Sequence, residues 1–228
     1  MRPERSSATL GRTLRSILVA PQQGFGAAVS AAQRRARAGE ALPEGLSPYV
    51  LALAGGASLM ILWLKVGGLL GGREVDPSEF GGTELVFALV TGAVLALLGQ
   101  GVWGVAAPAI ARALKGSVSG RDARIVWGAS AFPQVLTLLV LLPLDLLIVG
   151  PEVFATTRPG DSVATGWAAI SVSLCALMAG WSLTLFVLGM RRVAKLELLR
   201  ALGSMAAAAA CLSLVIVAGS LILLSLWG

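Results

Sequence analysis

Histidine does not occur once in these 228 residues, which removes the commonest transition-metal ligand and the usual general base at neutral pH. A Ser–His–Asp triad is therefore impossible. Charge is scarce too: 13% of residues are Asp, Glu, Lys or Arg, against about 25% in soluble domains. Cysteine occurs twice, as Cys175 and Cys211. Both lie in apolar runs, where a free thiol behaves as a small hydrophobe, and two such residues make neither a disulfide framework nor a redox motif. The chain has no phosphate-cradling P-loop, no HExxH pair and no GxSxG elbow. Hydrolytic, metal-dependent and nucleotide-driven chemistries all lose their usual residues, so the chain is read as non-enzymatic, with no catalytic, cofactor or metal site.

What the chain has in excess is apolar length. Hydrophobic residues make up 56%, and the mean hydropathy is +0.83. Five runs, 48–70, 84–110, 126–150, 164–190 and 201–227, reach the roughly 20 residues that cross a hydrocarbon core. Only helices and closed barrels satisfy the backbone in lipid, and these runs lack the period-2 alternation of barrel strands. The expected fold is an all-α integral membrane protein with five transmembrane helices in residues 47–228, preceded by a cytoplasmic basic segment, 1–46, carrying one or two amphipathic interfacial helices. That segment is basic without a concentrated apolar core, so it is expected to stay in the mature protein.

The net charge of +6 and pI near 10.3 raise the question of nucleic acid. The positions of the charges answer it, because most flank apolar runs, where basic residues meet anionic headgroups and set topology. Seven basic residues precede the first run: Arg2, Arg5, Arg12, Arg15, Arg34, Arg35 and Arg37. Four follow the second run (Arg112, Lys115, Arg121, Arg124) and four follow the fourth (Arg191, Arg192, Lys195, Arg200). The alternate loops hold one each, Arg73 and Arg158, and lean acidic through Glu74, Asp76, Glu79, Glu84, Glu152 and Asp161. Fifteen against two places the N-terminus inside and the C-terminus outside.

In the N-terminal segment, Leu10, Leu14, Ile17 and Leu18 fall on one helical face with Arg12 and Arg15 opposite, and Pro21 interrupts. Phe25, Val29 and Ala32 then oppose Arg34. Helices of this kind lie in the headgroup plane or pack on the ends of the spans. Arg12, Arg15, Arg34, Arg35 and Arg37 are the candidate contacts to anionic lipid of the cytoplasmic leaflet.

Two ionisable residues lie within spans, where they are costly and often functional. Lys65 is about 27 Å along a helix from Ser47, and Asp145 about 28 Å from Val126. Two spans running in the same direction bring them to similar depth. Three readings stay open: snorkelling to the outer headgroups, an ion pair between the first and third spans, or a substrate or ion pathway. Ser130, Gln134 and Thr137, at i, i+4 and i+7, form a polar stripe that Asp145 nearly joins at 100° per residue. Interhelical hydrogen bonds or a wet cavity would each account for it. Pro108, Pro133 and Pro143 are expected to kink their spans. Gly67/Gly71, Gly68/Gly72 and the run Ala206–Ala210 offer smooth faces for close packing.

The stretch from Ser16 to Pro21 followed by Phe25 resembles the cytoplasmic segment of the Yip family, the Ypt/Rab-GTPase-interacting membrane proteins and their bacterial relatives. Residues Gly116 to Arg124, continuing to Ala131-Phe-Pro133, are similar to that family's Gly-rich loop entering a span with an early proline. Residues Ala176 to Ala207, with Trp181, Arg191-Arg192 and Arg200-Ala201, look like its fourth and fifth spans. The resemblance implies five spans, a cytoplasmic N-terminus and a short exoplasmic C-terminus. The chain lacks the long acidic or aromatic N-terminal region of eukaryotic members, so their GTPase-binding role is not carried over. Arginine and alanine usage points to a bacterial member in the cytoplasmic (inner) membrane. The expected function is organising lipid or partner proteins. The alternatives are a small oligomeric transporter or channel that uses the polar stripe, or an accessory subunit of a larger membrane complex.

Overall fold

The computed structural model describes residues 48–71, 82–154 and 162–210, with isolated positions 30 and 213. Among these residues the regular structure is helical, with no strand. Helix α1 is Pro48–Gly71, α2 is Gly82–Ala113, α3 is Gly120–Ser130 and α4 is Phe132–Leu136. A wide turn with i→i+5 bonding, Thr137–Leu141, joins α4 to α5, Leu142–Ile148, and a 3-10 turn, Gly150–Phe154, follows. Helix α6 is Ser162–Val193 and α7 is Leu198–Ala210.

Four stretches are long and apolar enough to cross a membrane: Pro48–Val66, Gly82–Ala113, Gly120–Ile148 and Thr165–Val193. Of the expected fifth span, 201–227, the stretch 201–210 lies in α7, which is shorter than a crossing helix. The remainder of that span lies outside the described residues, as do the amphipathic helices expected in 1–46. The exposed side chains show which solvent the helices suit. Trp63, Phe87, Val105 and Leu147 are each more than 70% exposed, a distribution that lipid tolerates and water does not.

The sequence explains where the helices start and stop. Pro48 opens α1, where its missing N–H costs nothing. The Asp122 N–H donates to Ser119 Oγ at 3.1 Å, so Ser119 caps α3 and the helix begins at Gly120. That is six residues ahead of 126, where apolar content alone places the start of the third span. Glu84 in the first turn of α2, and Arg112 and Arg191-Arg192 in the last turns of α2 and α6, suit the helix dipole.

The described residues cluster into two compact units. The first comprises 48–52, 97–130 and 183–210. Its core is built on Trp103, whose ring centroid lies 6.4 Å from that of Trp127 and 5.5 Å from that of Phe186. Trp127 and Phe186 meet edge to face at 6.0 Å, an arrangement that aromatic quadrupoles favour. Gln100 Nε2 donates to the carbonyls of Pro48 at 3.3 Å and Arg124 at 3.0 Å, tying α1, α2 and α3 together.

The second unit comprises 53–71, 82–96, 131–154 and 162–182. Here α1 crosses α2 at Gly56 and Gly92, each of which faces the other's carbonyl oxygen so closely that a Cβ on either would overlap it. Small residues at a crossing let backbones approach in this way. The glycine pairs Gly67/Gly71 and Gly68/Gly72, singled out by sequence spacing, have side positions outside the described residues.

Candidate functional site

Within the second unit, α1 presents Ser58, Ile61 and Lys65 at i, i+3 and i+7, and all three are buried. Each polar member meets a partner on the third span. The Ser58 hydroxyl donates to Gln134 Oε1 at 3.2 Å and is hydrogen-bonded to the Thr137 hydroxyl. Seven residues further along α1, the Lys65 ammonium forms an ion pair with Asp145 Oδ2. Between the two rungs, Ile61 belongs to an apolar cluster that includes Leu142 and the partly buried Leu138. The result is a polar zipper with an apolar centre.

The wide turn sets the register of the zipper. Thr137 and Asp145 stand eight residues apart, which in an unbroken α-helix puts them about 80° out of line. The Leu142 N–H donates to the Thr137 carbonyl, an i→i+5 bond that takes up one extra residue. Everything beyond is rotated back by about 100°, so Asp145 returns to within about 20° of Thr137. Eight residues then span the same rise as the seven between Ser58 and Lys65. The cause is local: Pro143 has no N–H for the Leu139 carbonyl and its ring crowds that group, so the preceding turn opens. Pro133 acts more simply by restarting the helix in the first turn of α4, and Pro108 lies inside α2.

The ion pair is enclosed. Lys65 and Asp145 side chains are 1% and 0% exposed. Asp145 Oδ1 accepts from the Trp167 indole Nε1 at 2.9 Å. Lys65 Nζ also donates to Ser171 Oγ at 3.0 Å and lies 3.9 Å from Cys175 Sγ. Both carboxylate oxygens and the ammonium thus have partners, which two charges need when they leave water. Snorkelling does not describe this geometry, because the Lys65 head is enclosed rather than extended to a boundary.

The polar stripe read from the sequence divides. Gln134, Thr137 and Asp145 face α1, whereas Ser130 donates to the Trp127 carbonyl of its own helix at 2.8 Å. Thr137 Oγ1 also donates to the Gln134 carbonyl at 2.7 Å. Gln134 Nε2 is buried without a partner. Arg12, Arg15, Arg34, Arg35 and Arg37 lie outside the described residues.

Sequence reasoning passed over Ser58, Trp167, Ser171 and Cys175. Trp167, Ser171 and Cys175 fall at i, i+4 and i+8, one face of α6, and Ser58 sits seven residues before Lys65. Those spacings were the available signal, but serine, cysteine and tryptophan are common enough in membrane helices to hide it.

No protein-family model, characterised protein or solved structure matches this chain. The class is therefore set by the fold itself: among the described residues the protein is all-helical, with four helices long and apolar enough to cross a membrane. A buried ion pair joins the first and third of them.

Proposed function

We propose that this chain is a non-enzymatic, five-span membrane protein of the Yip type that organises lipid or partner proteins, with Lys65–Asp145 as its internal clamp. The observation that carries the reading is the enclosure of that pair, whose side chains are 1% and 0% exposed. A group that binds an ion or relays a proton needs access to a path, and here the charged atoms are held by Trp167, Ser171 and Cys175. The basic bias of fifteen to two supports a cytoplasmic N-terminus and an outside C-terminus, and the arginine and alanine usage supports a bacterial inner membrane. Partners on this reading are anionic lipids, further copies of the chain or a larger membrane complex.

A second reading, a small oligomeric transporter or channel, draws on Gln134 Nε2, a buried donor with no acceptor, because unsatisfied polar groups mark places where water or a ligand enters. Reconstitution separates the two. Proteoliposomes carrying the organising protein pass no protons or small ions above the lipid background, and Asp145→Asn changes its stability alone. A flux that Gln134→Leu abolishes while the fold is kept would replace the first reading with the second. Purification in mild detergent followed by mass spectrometry of co-purifying proteins tests the accessory-subunit form.

A further inference from the structure

The ends of α2 and α6 are built alike and bonded to each other. After α2, the Gly116 N–H reaches back to the Ala111 carbonyl at 2.8 Å, and after α6 the Leu196 N–H reaches back to Arg191 at 3.1 Å. Both are six-to-one closures whose penultimate residue takes the left-handed conformation that normally selects glycine. Here those residues are lysines, Lys115 at φ 60° and Lys195 at φ 55°. The Ser117 N–H then donates to the Ala194 carbonyl at 3.1 Å, and Gly116 lies against Leu196 and Ala194. Two loops far apart in sequence become one rigid surface.

That surface is basic and apolar at once. Arg112, Lys115, Arg191, Arg192 and Lys195 are exposed on it. The acids of the two stretches are Asp122, which is buried, and Glu197, which is 3.9 Å from Arg200. Four residues beyond Lys195, Leu199 is 80% exposed, and Leu198 and Leu202 are also exposed. On a chain lying in a membrane these exposed leucines face acyl chains, so the cations about one helical turn away lie at headgroup depth. A phospholipid answers both, its phosphate to the cations and its acyl chain to the leucines.

We propose that the joined ends of α2 and α6, with Lys115 and Lys195 at its centre, form a binding surface for anionic phospholipid headgroups. The proposal rests on the chain lying in a membrane and is independent of what Lys65 and Asp145 do. Lysine in place of glycine at both left-handed positions strains the backbone, and the two cations presented there are what that strain maintains.

The test titrates the full-length chain in neutral detergent with dioctanoyl phosphatidylglycerol or dioctanoyl phosphatidylcholine, following thermal unfolding. Wild type is expected to be stabilised by phosphatidylglycerol in preference to phosphatidylcholine. The pair Lys115→Gly/Lys195→Gly removes both charges while relieving the strain. Its melting temperature without lipid should rise, and its preference for phosphatidylglycerol should fall roughly 25-fold, the worth of two cations near an anionic headgroup. Lys115→Asn/Lys195→Asn repeats the test with a residue that tolerates the same conformation. Equal response of wild type to the two lipids overturns the proposal and leaves the face to an acidic protein. Retained selectivity in both variants, or full competition by inorganic phosphate at equal concentration, overturns it as well. A lower melting temperature for the glycine pair makes the lysines structural, with the same consequence. None of these failures touches the ion-pair reading, which is tested on other residues.

Discussion

Thr137 and Asp145 lie eight residues apart on the third span, yet they face the same side of it and meet Ser58 and Lys65, which lie seven apart on α1. The extra residue is absorbed by the wide turn Thr137–Leu141. Two parallel helices thereby hold two polar rungs in register, a match that an uninterrupted helix would miss by a quarter of a turn.

Removing one member of the ion pair should be costly. Asp145→Asn leaves the Lys65 ammonium enclosed without its counter-charge, which costs about 3–5 kcal/mol where such pairs have been broken. Lys65→Met/Asp145→Leu should recover most of that loss, because both desolvated charges go. Thermal melts of wild type, Lys65→Met, Asp145→Leu and the double variant in one detergent give the coupling. Strict additivity would mean that the two residues act independently.

Deleting a single residue from the wide turn is expected to be tolerated. Val140 is exposed, so its own contacts are few. Its loss lets the turn close to α-helical geometry and leaves Thr137 and Asp145 seven residues apart, about 20° out of line, so Asp145 stays facing Lys65. A deletion variant that loses the coupling between Lys65 and Asp145 would show that the register is held by something other than the turn.

Glycines on α1 and α2 should divide sharply by place. Gly56→Ala puts a Cβ into the Gly92 carbonyl, and backbone shifts of that kind cost about 1–3 kcal/mol. Gly101→Ala meets nothing within 4 Å and should be neutral, or stabilising by up to about 1 kcal/mol. Equal melting temperatures for the two variants would argue against a close crossing at Gly56 and Gly92.

Orientation is tested by single cysteines in a background without Cys175 and Cys211. Ser78→Cys and Ser162→Cys should react with an impermeant thiol reagent in intact cells, and Ser119→Cys should not. Reaction at position 119 alone reverses the topology drawn from the basic residues.

Apolar run length and the absence of histidine were legible at once, because hydrocarbon thickness and ligand chemistry set limits that any fold must obey. Helix boundaries were legible only in part. The third helix starts at Gly120 rather than near 126, since the Ser119 cap acts on backbone donors that apolar content does not register. The equal depths of Lys65 and Asp145 were counted from points that are not equivalent helix starts. Their pairing comes instead from the register of α1 against the third span.

The sequence by itself called for five apolar spans, of which four are long apolar helices among the described residues, and it put two opposite charges inside them. It could not say that Ser58 stands beside Gln134, that Trp167 and Ser171 complete the charged pair, or that Gly56 and Gly92 are the crossing glycines. Periodicity reports which face of a helix is distinctive, never which neighbour that face meets. The wide turn made the difference larger still, because one widened turn rotates every later side chain by about 100°. Its origin in Pro143 is local, but its consequence, Asp145 turned onto Lys65, exists only once the helices are packed.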